Sequence, residues 1–298
     1  MQKIVPHIWF DKDAEQAVKL YTSIFPDSKI TSQSFYSEAG FEIHGQPAGQ
    51  LMSASFELAG FKFMAINAGP IFKVNPSISF SVAAKSADEA DMLWNALIDG
   101  GSALMPYQEY PFSPKYGWVQ DQFGVSWQIS YDGKTSQTSI TPSIMFTGQN
   151  AGKAEEAINY YLGIFKDSHI DMISRYGENP GPDSPENINY SLFKLENVQF
   201  SAMDSAMDHK FQLNEAISLI VNCNDQVEVD YYWDKLSEGG DVNAQQCGWL
   251  KDKYGVSWQI IPVQLSQLMS SGDSEKVKRV TNAFLKMKKF DIQTLENA

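Results

Sequence analysis

Side chains able to do chemistry are sparse in this chain. Its four histidines, His7, His44, His169 and His209, stand far apart, and none belongs to an HxH or HExxH cluster that would hold zinc. The two cysteines, Cys223 and Cys247, form no CxxC, which removes the zinc ribbon and thioredoxin-type chemistry. One disulfide between them stays open, and two reduced thiols is the simpler expectation. There is no GxSxG elbow, and the spacing shows no Ser–His pair, so a nucleophilic triad has no support. No strand leads into a glycine-rich GxGxG turn of the kind that cradles S-adenosylmethionine or a dinucleotide. What recurs is amide and indole. GWVQDQFGVSWQI at 117–129 answers GWLKDKYGVSWQI at 248–260, with nine of thirteen positions identical. Each copy ends in a tryptophan and a glutamine, Trp127-Gln128 and Trp258-Gln259. Tyr107, Tyr110, Phe112 and Tyr116 cluster in a stretch that the second copy lacks, as an aromatic lid or as a plain surface loop.

Charge narrows the partners. Of 298 residues, 23 are Lys or Arg and 36 are Asp or Glu, a net charge of −13. So acidic a chain is not expected to bind nucleic acid, whose phosphates require clustered cations. Anionic membrane surfaces are excluded for the same reason. No stretch approaches the ~20 apolar residues of a membrane span. The opening MQKIVPHIWFDKDAEQ meets charge by Asp11 and does not read as a signal peptide. The expectation is a soluble, cytoplasmic protein whose partner is a small molecule.

A long internal duplication must position these residues. IVPHIWF at 4–10 answers ITPSIMF at 140–146, and AEQAVKLYTSIFPDSKI at 14–30 answers AEEAINYYLGIFKDSHI at 154–170. FKF at 61–63 answers VQF at 198–200. Within the first copy, 4–10 reads as a strand, and Ala14, Ala17, Val18, Tyr21 and Ile24 form one apolar helical face. Strands fit about 29–37, 50–58 and 61–67. The order then repeats. A strand at 78–82 is followed by a helix after the capping box Ser86-Ala-Asp-Glu89, with strands near 103–109, 116–121 and 125–130. Each copy is thus two β-α-β-β-β units, joined by the polar linker 132–139. Domains are expected at 1–133 and 139–298. After Pro262 a basic tail carries Val277, Val280, Phe284 and Met287 on one helical face, predicting a helix over about 274–289 with Asp273 or Ser274 as its cap.

Four such units, the A-x-x-A-x-x-x-Y helix, the closing D-x-[FY]-G-V-S-W-Q hairpin and the terminal LKMKKFDIQTLENA resemble the vicinal oxygen chelate superfamily of glyoxalase I, bleomycin-resistance proteins and extradiol dioxygenases. The likeness is to its PhnB-like branch, the family labelled 3-demethylubiquinone-9 3-methyltransferase. It implies an α+β fold with tandem domains, each pairing two β-α-β-β-β units into a curved mixed sheet that forms a cup, and an intrachain pseudo-dimer that is free to oligomerise further. It also implies a site. Metal-dependent members take His, Gln and Glu ligands from the first and last strands of each unit, a set suited to Fe, Ni, Mn or Zn.

Here the last-strand glutamate is Gln128 and Gln259, and the first-strand positions are His7 and Ser143. Pairing within each copy gathers His7, Asn67, Tyr110, Trp118 and Gln128 in a first cup, and Ser143, Asp204 and Gln259 in a second. The first keeps a histidine and the aromatic stretch, so it is the expected ligand site. These donors are almost all neutral, so no tightly bound metal and no other cofactor is expected. The resulting expectation is a small-molecule binding protein whose catalytic residues, if any, are unassigned. A metal-dependent lyase, isomerase or dioxygenase, with a divalent metal as its cofactor, is the alternative, as is a methyltransferase acting on a quinone-like substrate as the family label implies.

Overall fold

The computed structural model describes residues 2–36, 38, 41 and 45–298; His44 lies outside them. Each unit has the expected order. The first is β1 (Ile4–Phe10), α1 (Ala14–Ile24), β2 (Lys29–Phe35), β3 (Leu51–Leu58) and β4 (Phe61–Asn67). The second is β5 (Ile78–Ala83), α2 (Ala87–Ile98), β6 (Ser102–Tyr110), β7 (Ser113–Gln120) and β8 (Ser126–Tyr131). The third is β9 (Ser139–Thr147), α3 (Ala154–Ile164), β10 (His169–Arg175), β11 (Ile188–Leu195) and β12 (Val198–Ser205). The fourth is β13 (Ile217–Cys223), α4 (Gln226–Ser237), β14 (Asp241–Gln246), β15 (Trp249–Lys251) and β16 (Ser257–Pro262). No helix among the described residues is long and apolar enough to cross a membrane.

Two eight-stranded mixed sheets result, but the units do not pair within each copy. Sheet order is β14-β15-β16-β13-β1-β4-β3-β2 and β10-β11-β12-β9-β5-β8-β7-β6. The first unit joins the fourth through the antiparallel pair β1–β13, and the second joins the third through β5–β9. The expected pairing of adjacent units is therefore corrected to a nested one. All four units present the same edge strand, so the pattern of apolar residues cannot say which two edges meet. We call the concave faces cup A (units one and four) and cup B (units two and three).

The helices do the opposite. α1 and α2 share one apolar core with Phe63, Phe80 and Trp127, while α3 and α4 share another with Phe146, Phe200 and Trp258. Each copy thus owns a core and contributes half of each sheet. Alternation along β1 sends Ile4, Ile8 and Phe10 to the cores and leaves Val5, His7 and Trp9 on the concave side.

The recurrent hairpin motif is explained by burial. Asp121 accepts from Tyr21 Oη (2.6 Å) and Trp127 Nε1 (2.9 Å), and from the backbone N–H groups of Phe123 and Val125. Asp252 repeats every contact with Tyr161, Trp258, Tyr254 and Val256. The helix tyrosine and the hairpin motif are two ends of one buried network, which ties each helix to its sheet.

The tail folds as α5 (Val263–Met269), α6 (Ser274–Phe284) and α7 (Ile292–Glu296). Asp273 caps α6 by accepting from the N–H groups of Glu275 and Lys276. Val280, Phe284 and Met287 pack together as expected, and Phe290 and Leu295 join them, whereas Val277 stays outside this cluster and the helix stops at Phe284 rather than near 289. The tail replaces the shortened hairpin of the fourth unit. Cys247 and Gly248 donate to the carbonyls of Met287 and Lys288 at 2.9 and 2.7 Å. A Cβ on Gly248 would lie 2.5 Å from the Phe290 ring.

Candidate functional site

Nested pairing redistributes the expected site residues. In cup A, Gln259 Nε2 donates to His7 Nδ1 (2.9 Å) and to Ser218 Oγ (2.9 Å). His7 is 3% exposed, and burial pushes its imidazole down to about 3. Above it, Trp249 lies edge-on to His7 at 5.5 Å and to Trp9 at 6.1 Å, and Trp9 packs edge-on against Phe72 at 5.1 Å. Trp9 Nε1 donates to the Gly69 carbonyl (2.7 Å). Ile261, on the same face as Gln259, packs into the tail. Large side chains thus line cup A from floor to rim.

Cup B has the same plan with smaller residues. Gln128 Nε2 donates to Ser79 Oγ (2.8 Å), and Tyr116 Oη donates to Gln128 Oε1 (2.8 Å). Trp118 Nε1 donates to Ser126 Oγ (2.6 Å). Register puts Ser79 beside Ser143, and Ser143 beside Ser201. Three strands in succession therefore present a serine to the concave face, where cup A presents Ser218, His7 and Met64. Ser143 and Ser201 are buried, and neither hydroxyl has a partner among the described residues. A buried hydroxyl left unpaired costs about 1–3 kcal/mol, so the fold carries this row at a cost in stability.

His7 and Gln128 are therefore in different cups, as are Ser143 and Gln259. Gln128 with Trp118 and Ser143 line cup B, and His7 with Gln259 lines cup A. Asn67 and Asp204 belong to neither, because both face the helices. Asn67 Oδ1 accepts from the N–H of Ala14, the first residue of α1 (2.8 Å), and its Nδ2 donates to the Leu51 carbonyl (2.9 Å). Asp204 accepts from the N–H groups of Ala154 (3.0 Å) and Ile188 (3.0 Å). They cap the helices from a distant strand, where Asp13 and Lys153 provide no side-chain cap.

The aromatic stretch is a hairpin rather than a loop. Tyr107 stacks on Trp94 at 4.9 Å and donates to Asp91, away from the cup. Tyr110 and Phe112 pack on Tyr116 at the hairpin tip, at 5.6 and 5.1 Å, so Tyr110 reaches the cup only through Tyr116. His169 lies exposed on edge strand β10 beside Asp171. Of the serine row, Ser143 was expected in a cup and Ser201 was not, although the alternation in VQFSAMDS already places Ser201 opposite the core residues Phe200 and Ala202.

The carboxylate of the superfamily's metal site is missing from both cups, where neutral glutamines stand in its place. The first and last strands of each unit present His7, Met64, Ser218 and Gln259 in cup A, and Ser79, Gln128, Ser143 and Ser201 in cup B. None carries charge at neutral pH, since His7 is held neutral. A dication in a desolvated cup would go uncompensated. Among the described residues no group of three or more His, Cys, Asp or Glu side chains could hold one.

Solved structures similar to this chain include three of known source. The PhnB protein of Bacillus cereus is 38% identical over 44% of this chain and 99% of its own, with a TM-score of 0.41. A Staphylococcus aureus protein is 37% identical over 44% of this chain and 97% of its own, with a TM-score of 0.19. Glyoxalase I from Zea mays, at 13% identity, covers 89% of this chain and 96% of its own with a TM-score of 0.53, a likeness of fold. No curated protein matches. The family model described as 3-demethylubiquinone-9 3-methyltransferase matches residues 2–130 and again 138–261, and the chain therefore belongs to that PhnB-like family of the vicinal oxygen chelate fold.

Proposed function

We propose that this protein binds a small uncharged molecule in cup B, through the serine row and the aromatic wall. The observation that carries this reading is the unpaired Ser143 and Ser201 hydroxyls, buried side by side on the concave face. Hydroxyls both donate and accept, and no charged side chain stands in that row. Such a floor favours a neutral ligand bearing hydroxyl or carbonyl oxygens. Tyr116 and Trp118 provide faces for a planar ring. The family's description names a demethylated ubiquinone, a neutral ring bearing carbonyl and hydroxyl oxygens. Methyl transfer itself would need a cradle for the methyl donor, and the sequence holds no GxGxG turn for one. Both cysteines are free, as a reducing cytoplasm would keep them.

Hydroquinone is a suitable probe, with tryptophan emission as the readout. A saturable change is expected in the wild-type protein, lost in Ser143→Leu and retained in Ser257→Leu, which places the same bulk in cup A beside Ser218. No saturable change, or one that Ser143→Leu leaves intact, would overturn the assignment. Elemental analysis of protein purified without chelator tests the alternative. About one equivalent of Zn, Ni, Mn or Fe per chain, lost in His7→Ala, would favour a metal-dependent lyase, isomerase or dioxygenase.

A further inference from the structure

We propose that Ser205 and His209 form a nucleophile–base pair at the end of cup B, competent to take an acyl group from a small activated carboxylic ester. The spacing of the sequence shows no Ser–His pair; the fold makes one. Ser205 closes β12 on the concave face, in line with Ser201 and Met203. Its Oγ lies 2.8 Å from His209 Nε2. The chain folds back directly after the strand, where the His209 N–H donates to the Met207 carbonyl (2.7 Å) and the ring rests on Phe211. Ser205 is 6% exposed and His209 is half-buried, so the pair sits at the open end of the sheet rather than in a sealed core.

The surroundings suit a base. Partial burial lowers the His209 pKa, while Asp183 and Asp208 oppose that shift. The imidazole is then neutral near pH 7 and able to take a proton, as a general base must be. Asp183 is itself buried and anchored by the Ala206 N–H (2.9 Å) and Asn187 Nδ2 (3.2 Å), so its side chain is fixed in place. The duplication provides an internal control. The alignment that sets 61–63 on 198–200 sets Ala68 at Ser205 and Phe72 at His209. Phe72 packs on Trp9 and closes cup A. The fold therefore does not require the pair, since the sister position is apolar.

In the step proposed, His209 Nε2 takes the hydroxyl proton as Ser205 Oγ bonds to the acyl carbon. The carbon–oxygen bond to the leaving group breaks, and the departing oxygen receives the proton from His209. Water then attacks the Ser205 ester, again losing a proton to His209, and releases a carboxylic acid with Ser205 restored. This pair lies outside the floor row, so it stands or falls separately from hydroquinone binding.

The test is treatment of the full chain with a fluorophosphonate probe, with the adduct mapped by mass spectrometry, alongside p-nitrophenyl acetate hydrolysis. The expected adduct is on Ser205 and is absent in Ser205→Ala. In His209→Gln, which keeps a hydrogen-bonding partner for Ser205, labelling and hydrolysis should both fall roughly 100-fold with an unchanged melting temperature. No Ser205 adduct in the wild type, or equal labelling in His209→Gln, would overturn the proposal.

Discussion

Cup A and cup B are built from one β-α-β-β-β arrangement used four times, and they share strand order and a floor glutamine. They differ in what surrounds that glutamine. In cup A it donates to His7 and Ser218 beneath two tryptophans, and the tail packs against the same wall. In cup B it joins Ser79 to Tyr116 beside two serines whose hydroxyls are unpaired. A cup lined with large, mutually bonded side chains contributes to stability, whereas buried hydroxyls without partners detract from it. Duplication within a single chain allows this difference, because the two cups can diverge while the strand order is kept.

The sharpest contrast between the halves is at Asn67 and Asp204. Both cap a helix, but Asn67 also meets a carbonyl and Asp204 also meets an N–H. Their identities should not be exchangeable. Asn67→Asp would set a buried carboxylate against the Leu51 carbonyl, at a cost of about 3 kcal/mol, and Asp204→Asn about 2 kcal/mol, because one backbone N–H loses its acceptor. Urea unfolding of the two variants measures this. A neutral exchange at either position would mean that the two caps are equivalent after all.

Acid should separate the cups almost as strongly. His7 takes a proton near pH 6.5 when unfolded but only near 3 when folded. Its contribution is fully present above pH 6.5 and is lost as pH falls toward 3. Burial raises Asp252 to about 6, which acts the other way and weakens the fold as pH rises between about 4 and that value. Asp121 is raised too, so the carboxylates belong to both halves while the histidine belongs to cup A alone. His7→Asn keeps an acceptor for Gln259 without the titration. Between pH 7 and pH 4 the wild type should lose about 3 kcal/mol more than this variant. Parallel stability profiles would show that His7 is solvated.

These contrasts also mark how far the sequence could be read. The units, both capping devices and the tail face were legible because each rests on local periodicity, as Ser86 with Glu89 and Asp273 with Lys276 demonstrate. The partner of His7 was not, since its glutamine lies 252 residues away and two identical motifs compete for the place. Asn67 and Asp204 looked like cup ligands from their place at the end of a last strand. Strand alternation beside Phe63 and Ala65, or Phe200 and Ala202, already turns them toward the helices. The pair Ser205–His209 depends on a turn with no regular pattern, which no periodicity predicts.

A smaller difference concerns two matching glycines at the start of the conserved hairpin. A Cβ on Gly117 would meet Trp94 at 2.5 Å, and one on Gly248 would meet Phe290 at 2.5 Å. Only Gly248 has a positive φ, +80°. Gly248→Ala should therefore cost about 1 kcal/mol more than Gly117→Ala, because left-handed backbone strain adds to the clash. Equal melting temperatures for the two variants would show that the tail yields more easily than α2.

The smallest effect is set by two serines at corresponding positions. In cup B, Trp118 Nε1 donates to Ser126 Oγ. In cup A the matching indole, Trp249, is turned toward His7 and Trp9, and the Ser257 hydroxyl has no partner among the described residues. Removing the hydroxyl should thus have different consequences in the two cups. Ser126→Ala leaves an indole N–H buried and unpaired, at a cost of about 1 kcal/mol. Ser257→Ala removes a hydroxyl that is already desolvated without return, so stability should stay level or rise by a few tenths of a kcal/mol. Paired urea midpoints at pH 7 resolve the difference. If Ser257→Ala costs as much as Ser126→Ala, then Trp249 bonds Ser257 as Trp118 bonds Ser126, and the aromatic closure that distinguishes cup A is not its resting arrangement.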